Sequence, residues 1–193
     1  MNGGKDFSEW CKKDDLIYKT MSGPLQTVLG KNGVGLAECA VAESKYEKGE
    51  DISARMLDLV QRMGEIRRSG TPEIEFALTA LLARSQMTSG RVGDAQRTLE
   101  TLRLRFEDAG LTRYLPNLDA FLCRIDLRMG NLDAADAWYL EKAPKDPLNF
   151  DALKRYQYLT QAAVELVAGQ TENVFLTLAP LDAFCKACCR HLD

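Results

Sequence analysis

With 193 residues, 46% of them apolar and 27% charged, the chain is long and apolar enough to bury a substantial core, which excludes an intrinsically disordered protein. A formal net charge of −3 excludes the broad basic footprint that binding to a phosphate backbone requires. No apolar stretch approaches the roughly 20 residues of a bilayer span, and the N-terminal "MNGGKDFSEWCKKDD" lacks the apolar core of a secretory signal, so a soluble, cytoplasmic protein without membrane contact is expected.

The first element in chain order is "KDFSEWCKKDDLIYKT", an amphipathic helix bearing Phe7, Trp10 and Ile17, read as a cap within residues 1–23. Helical periodicity then predicts elements at about 32–48, 51–66, 72–89, 92–109, 115–129, 132–142, 149–168 and 171–192. Pro72 suits a first helical turn, and Pro144 with Pro147 interrupts the chain in "APKDPLN". Strand signals are absent from the sequence, so the expected class is all-α.

The run "TSGRVGDAQRTLETL", residues 88–102, reads as a helix stop, a tight turn and a returning helix. The same hairpin recurs in "EKGEDISA", "RMGNLDAA" and "VAGQTENV", whose glycines Gly49, Gly90, Gly130 and Gly169 are spaced by 41, 40 and 39 residues. Glycine enters the left-handed conformation that ends such a helix without a Cβ clash. Seven residues before each glycine stand Ala42, Ala83, Cys123 and Ala162, and five after stand Ala54, Ala95, Ala135 and Val174. Small side chains at both points let two helices approach closely. Val41, Leu82 and Leu122 supply a bulky apolar residue eight before the glycine, where the fourth copy departs with Gln161. This small–Gly–small spacing is that of the tetratricopeptide repeat, with a longer connection. It predicts a tetratricopeptide-like right-handed α-solenoid of about four helix pairs over residues 24–193, with repeats at about 32–66, 72–110, 114–143 and 149–192.

With the repeats in register, "GVGLAECAVAESKYEKGED", "EIEFALTALLARSQMTSGRVGDAQRTLETLR", "YLPNLDAFLCRIDLRMGNLDAADAWYLEKAP" and "LKRYQYLTQAAVELVAGQ" resemble the helical repeat region of MalT-like regulators of the LuxR type. The most distinctive run is "LPNLDAFLCRIDLRMGN" with the following Trp138. The resemblance implies transcription regulation by a larger protein, in which an ATPase domain, a superhelical sensor and a DNA-reading helix-turn-helix follow one another. Only the sensor is expected here, because no G-x-x-x-x-G-K-[ST] phosphate loop and no basic recognition helix is present. The ending "FCKACCRHLD", without a capping helix, likewise predicts a part of something longer. ATP and DNA therefore belong to the absent domains, and this chain is expected to need no cofactor. Its partner is expected to be a small-molecule inducer or a regulatory protein.

In tetratricopeptide-like arrays the first helix of each pair lines a concave groove, which places Glu43, Arg84 and Arg124 in one row, six residues before their glycines. Tyr46, Met87, Asn117, Arg128 and Tyr156 are expected to flank them. An arginine pair with aromatic neighbours can clamp a carboxylate or phosphate or stack on a sugar. The alternative is that these are ordinary surface charges, with Glu43 bridged to Arg84. A scaffold gripping a peptide or regulatory partner in the same groove is the competing function.

The cysteines Cys11, Cys39, Cys123, Cys185, Cys188 and Cys189 read as reduced thiols. "CKACCRH" suggests a metal site, but on a helix His191 points away from Cys185 and its neighbours, so packing is the favoured reading. His191 is the only histidine, which leaves nucleophilic catalysis without an oriented partner, and no enzyme is expected. Trp138, Tyr156 and Tyr158 are expected to serve mainly in packing, Trp138 against the following repeat.

Overall fold

A computed structural model describes Gly35 and residues 37–46, 48–68, 71–146 and 150–190. Among these residues the regular structure is helical throughout, without strand. In order, α1 covers residues 37–46, α2 Ser53–Gln61, α3 Met63–Arg68, α4 Pro72–Thr88, α5 Val92–Asp108, α6 Leu115–Met129, α7 Leu132–Lys142, α8 Arg155–Val167 and α9 Thr171–Arg190. No helix among the described residues is long and apolar enough to cross a membrane.

Within the described residues the helices expected from periodicity are present, with two main differences; residues 32–34 and 191–192 of the first and last expected helices lie outside the description. The single helix expected over 51–66 is split at Arg62, whose guanidinium reaches Glu38 at 2.7 Å and Asp58 at 3.1 Å. Gly64 follows two residues later, where its low helix propensity weakens continuation. The helix expected from 149 begins at Arg155. Before it, the Asp151 carboxylate accepts from the Leu153 N–H at 2.9 Å and caps a single 3-10 turn, Ala152–Lys154. The N-terminal cap predicted within 1–23, and Pro147, lie outside the described residues.

One device closes five helices. Gly49, Gly90, Gly110, Gly130 and Gly169 all have φ between 68° and 76°. Each donates its N–H three residues back, and the next residue donates five back, as in Gly90 N–H to Met87 carbonyl at 3.1 Å and Arg91 N–H to Gln86 carbonyl at 2.8 Å. These paired bonds satisfy the last carbonyls that a helix leaves open. Four of the glycines are those of the repeat. The fifth, Gly110, ends α5 and turns the chain toward α6.

The chain divides into two compact units between Arg91 and Val92. In the first, Cys39, Ala42, Ile52, Met56, Met63, Ile74, Leu78 and Leu81 form the core. Gly35 packs close to Ile74, whose Cδ1 would lie 2.9 Å from a Cβ added there and would have to turn aside. In the second unit α5 packs on α6, α6 on α7 and α8, and α8 on α9. Ala120, Cys123, Ala135, Trp138 and Val164 form one of its cores, so Trp138 shares a core with α8. The repeated small residues Ala42, Ala83, Ala95, Cys123, Ala135 and Ala162 are all buried.

Within each unit, residues about forty positions apart touch. Arg84 reaches Glu43, and Gln157 Nε2 donates to Asn117 Oδ1 at 3.0 Å. The Thr160 hydroxyl donates to the Ala120 carbonyl at 3.4 Å, and Tyr156 stacks on Phe121 with centroids 3.7 Å apart. A forty-residue period in sequence thus becomes neighbouring helices in space.

Candidate functional site

The groove residues read from the sequence fall into two groups. In the first unit, α1 and α4 bring together Glu43, Tyr46 and Arg84. Arg84 donates to Glu43 at 2.9 Å and lies 4.7 Å from the Tyr46 ring centre. The Tyr46 hydroxyl bonds to the Arg84 carbonyl at 3.3 Å and to the Thr88 hydroxyl at 2.6 Å. Met87 on α4 is half-buried. The Glu43–Arg84 pair is the intramolecular bridge that the sequence left as an alternative. With the Glu43 side chain 55% exposed, such a pair is worth about 0–1 kcal/mol.

In the second unit, Arg124 lies over the Tyr156 ring at 5.4 Å, while Tyr156 itself is held by its stack on Phe121. Asn117 is taken by Gln157, and Arg128 is exposed near the end of α6. Tyr158 is buried and stacks on Phe150 at 5.3 Å. Both tyrosines therefore pack, as expected.

A cavity of about 230 Å³ opens elsewhere in this unit, walled by Tyr139 of α7, Pro144 and Lys145 of the connection, Tyr158, Gln161 and Glu165 of α8, and Asn173, Leu176 and Thr177 of α9. Its floor is unusual. α8 turns a polar stripe inward, with Gln157, Thr160, Gln161 and Glu165 all buried. Most helices bury apolar residues at this spacing, and a buried polar group must find partners.

Glu165, 2% exposed, accepts at Oε1 from Gln161 Nε2 at 2.8 Å, the Thr177 hydroxyl at 3.1 Å and the Tyr139 hydroxyl at 3.3 Å; Oε2 accepts from Thr177 at 2.9 Å. All these donors are neutral, and no cationic side chain among the described residues reaches ion-pair distance. Gln161 is 6% exposed, and its Oε1 is buried without a donor. Burial raises the Tyr139 phenol above its ordinary pKa, and the charge and hydrogen bond of Glu165 push it further the same way. At the rim Lys145 donates to the Leu140 carbonyl at 2.6 Å and stands 5.7 Å from the Tyr139 ring centre. Pro180 within α9 has no N–H for the Leu176 carbonyl, so a second lining residue carries an acceptor deprived of its helical donor.

Part of this cavity left a trace in the sequence. Gln161 occupies the position that holds Val41, Leu82 and Leu122 in the other repeats, and that departure is the available signal. Glu165 left none, since its position four before the glycine is polar in every copy, as Lys45, Gln86 and Asp126. Lys145 and Asn173 are ordinary surface types.

No group of three or more metal-ligating side chains gathers among the described residues. Cys185 is exposed, whereas the side chains of Cys188 and Cys189, and His191 entirely, lie outside the description. Cys39 and Cys123 are buried thiols, each pushed from 9.0 up to about 12, first by burial and then by nearby carboxylates, Glu38 and Glu43 for Cys39 and Asp126 for Cys123. At neutral pH they are inert packing groups. The chain matches no family model, no curated protein and no solved structure.

Proposed function

We propose that this chain is the ligand-sensing repeat region of a LuxR-type, MalT-like transcription regulator, a tetratricopeptide-like right-handed solenoid working in the cytoplasm without catalytic chemistry of its own. In that reading ATP and DNA bind to other domains of the regulator. The recurring glycine caps and the contacts at forty-residue separation support the repeat assignment. The single observation that carries sensing is the cavity in the second unit, whose lining includes the buried carboxylate of Glu165 and its amide partner Gln161. A few placed polar groups in a recess are what fix a small ligand's orientation. To act as an inducer, that ligand must bind two conformations of the regulator with different affinity.

The test is a thermal-shift screen of the chain against sugars, organic acids, nucleotides and amines, repeated on Arg84→Ala and Arg124→Ala. A ligand at 100 times its Kd stabilises by about 2.7 kcal/mol, or roughly 5–10 °C in Tm for a chain of this size. A cavity ligand keeps its shift in both arginine variants, whereas a groove ligand loses it. Silence across the library, with cooperative melting, overturns small-ligand sensing. That outcome favours a scaffold that binds a peptide or regulatory partner, a reading to which the exposed Leu166, Val167, Phe175 and Leu176 lend weight.

A further inference from the structure

We infer that the cavity against Glu165 is a receptor for a small primary ammonium compound. This rests on the sensing reading above and names its ligand class.

The first support is an asymmetry between two buried carboxylates. Glu75, 1% exposed, receives the Arg67 guanidinium at 2.7 Å. Glu165, equally deep, is met only by hydroxyls and an amide. A buried charge is stable when an opposite charge and good hydrogen bonds accompany it. In the second unit the position of that charge faces a cavity.

The second support is Gln161. Its Nε2 donates to Glu165 at 2.8 Å and to Thr177 at 3.0 Å, which fixes the amide orientation and turns Oε1 away without a donor. Reversing the amide would set its oxygen against the carboxylate. The cavity is thus lined by a carboxylate, Glu165, together with the amide that holds it in place, Gln161.

Acceptors around a negative charge select a donor-only cation. Ammonium has three N–H donors and no acceptor. Guanidinium fits less well, because its paired N–H groups seek both carboxylate oxygens, and Gln161 and Tyr139 already donate to Oε1 while the single Thr177 hydroxyl proton is shared between Oε1 and Oε2. Magnesium or calcium needs about six or more oxygens, and no cluster of ligating side chains is present among the described residues. A neutral sugar would use the acceptors and leave the charge uncompensated, and an anion would be repelled. Tyr139, Tyr158, Pro144 and Leu176 can cover a short carbon chain. The volume of about 230 Å³ lies below the roughly 300–1,000 Å³ of drug-sized sites, which keeps the ligand small.

Lys145 at the rim separates two sources of the same group. An α-amino acid would place its ammonium on Glu165 and its carboxylate toward Lys145, whereas a simple alkylamine would meet Lys145 as a like charge.

The experiment is isothermal titration calorimetry of the whole chain with alanine, propylamine, propionate and propanol. The two ammonium probes are compared across wild type, Glu165→Gln, Gln161→Leu and Lys145→Met. At least one ammonium probe should bind, with propionate and propanol silent. Glu165→Gln, which removes a charge-assisted contact, should weaken binding by about tenfold or more. Gln161→Leu restores the apolar residue type of the other repeats and should fold, so its weaker binding carries the test even if Glu165→Gln does not fold. Lys145→Met should weaken alanine if an amino acid is the source, and leave or strengthen propylamine if a plain amine is. Unchanged affinity in a folded Gln161→Leu chain, a preference for propionate, or no heat with either ammonium probe overturns the assignment. A Tm shift from another compound class would then leave the sensing reading standing, whereas no shift from any class removes both.

Discussion

Replacing Gly130 by alanine isolates the backbone contribution of the repeat's turn. Gly130 has φ 76°, and a Cβ added there meets nothing within 4 Å, so the penalty is conformational rather than steric crowding. A left-handed residue other than glycine costs about 1–2 kcal/mol. The control is Gly93, in the first turn of α5, which is equally open around an added Cβ but lies in helical backbone. There alanine restricts the unfolded chain and stabilises by about 0.4–1 kcal/mol. The two substitutions add the same methyl group and should act with opposite sign, separated by about 1.4–3 kcal/mol. Urea denaturation followed by far-UV circular dichroism measures both. If Gly130→Ala is as stable as Gly93→Ala, the left-handed caps do not specify these turns, and the repeat argument built on them fails.

Ala83 is fully buried between helices, so Ala83→Leu should lose about 1–3 kcal/mol through overpacking, while Ala163→Leu, at a half-buried position on α8, should stay within about 0.5 kcal/mol in the same denaturation assay. Equal effects would show that the small-residue positions are not close contacts. The raised thiol pKa values set a further expectation. Cys39 and Cys123 hold their protons more tightly folded than unfolded, so their contribution is fully present below pH 9.0 and declines as pH climbs toward about 12. Cys123→Ala, which installs the alanine found at Ala42, Ala83 and Ala162, should make that alkaline decline shallower. An unchanged slope refutes the reading of Cys123 as a buried, protonated thiol.

Local chemistry made much of the helical pattern legible. A glycine every forty residues, an alanine or cysteine seven before it and apolar residues at helical spacing act within a few turns of chain, so α4 to α7 lie close to where periodicity places them. The break at Arg62 was less legible, since Arg62 pairs with Glu38 on another helix, a partner that local spacing does not reveal. Before α8, the 3-10 turn at Ala152–Lys154 is capped by Asp151, a local choice of backbone that helical periodicity does not distinguish from a longer helix.

For the candidate site the division is sharper. Residue types and repeat register placed Glu43 beside Arg84, a contact at one repeat's separation that follows from the period itself. The sequence also marked Gln161 as an exception. It could not disclose that Gln161, Glu165, Tyr139 and Thr177 share one hydrogen-bond network, because these residues come from three helices and their partners are chosen by packing, not by spacing. Period is a local property of the chain, written in which residues end and bury each helix. The charge balance of a buried pocket is a property of everything that surrounds it, and only the tertiary structure assembles those surroundings.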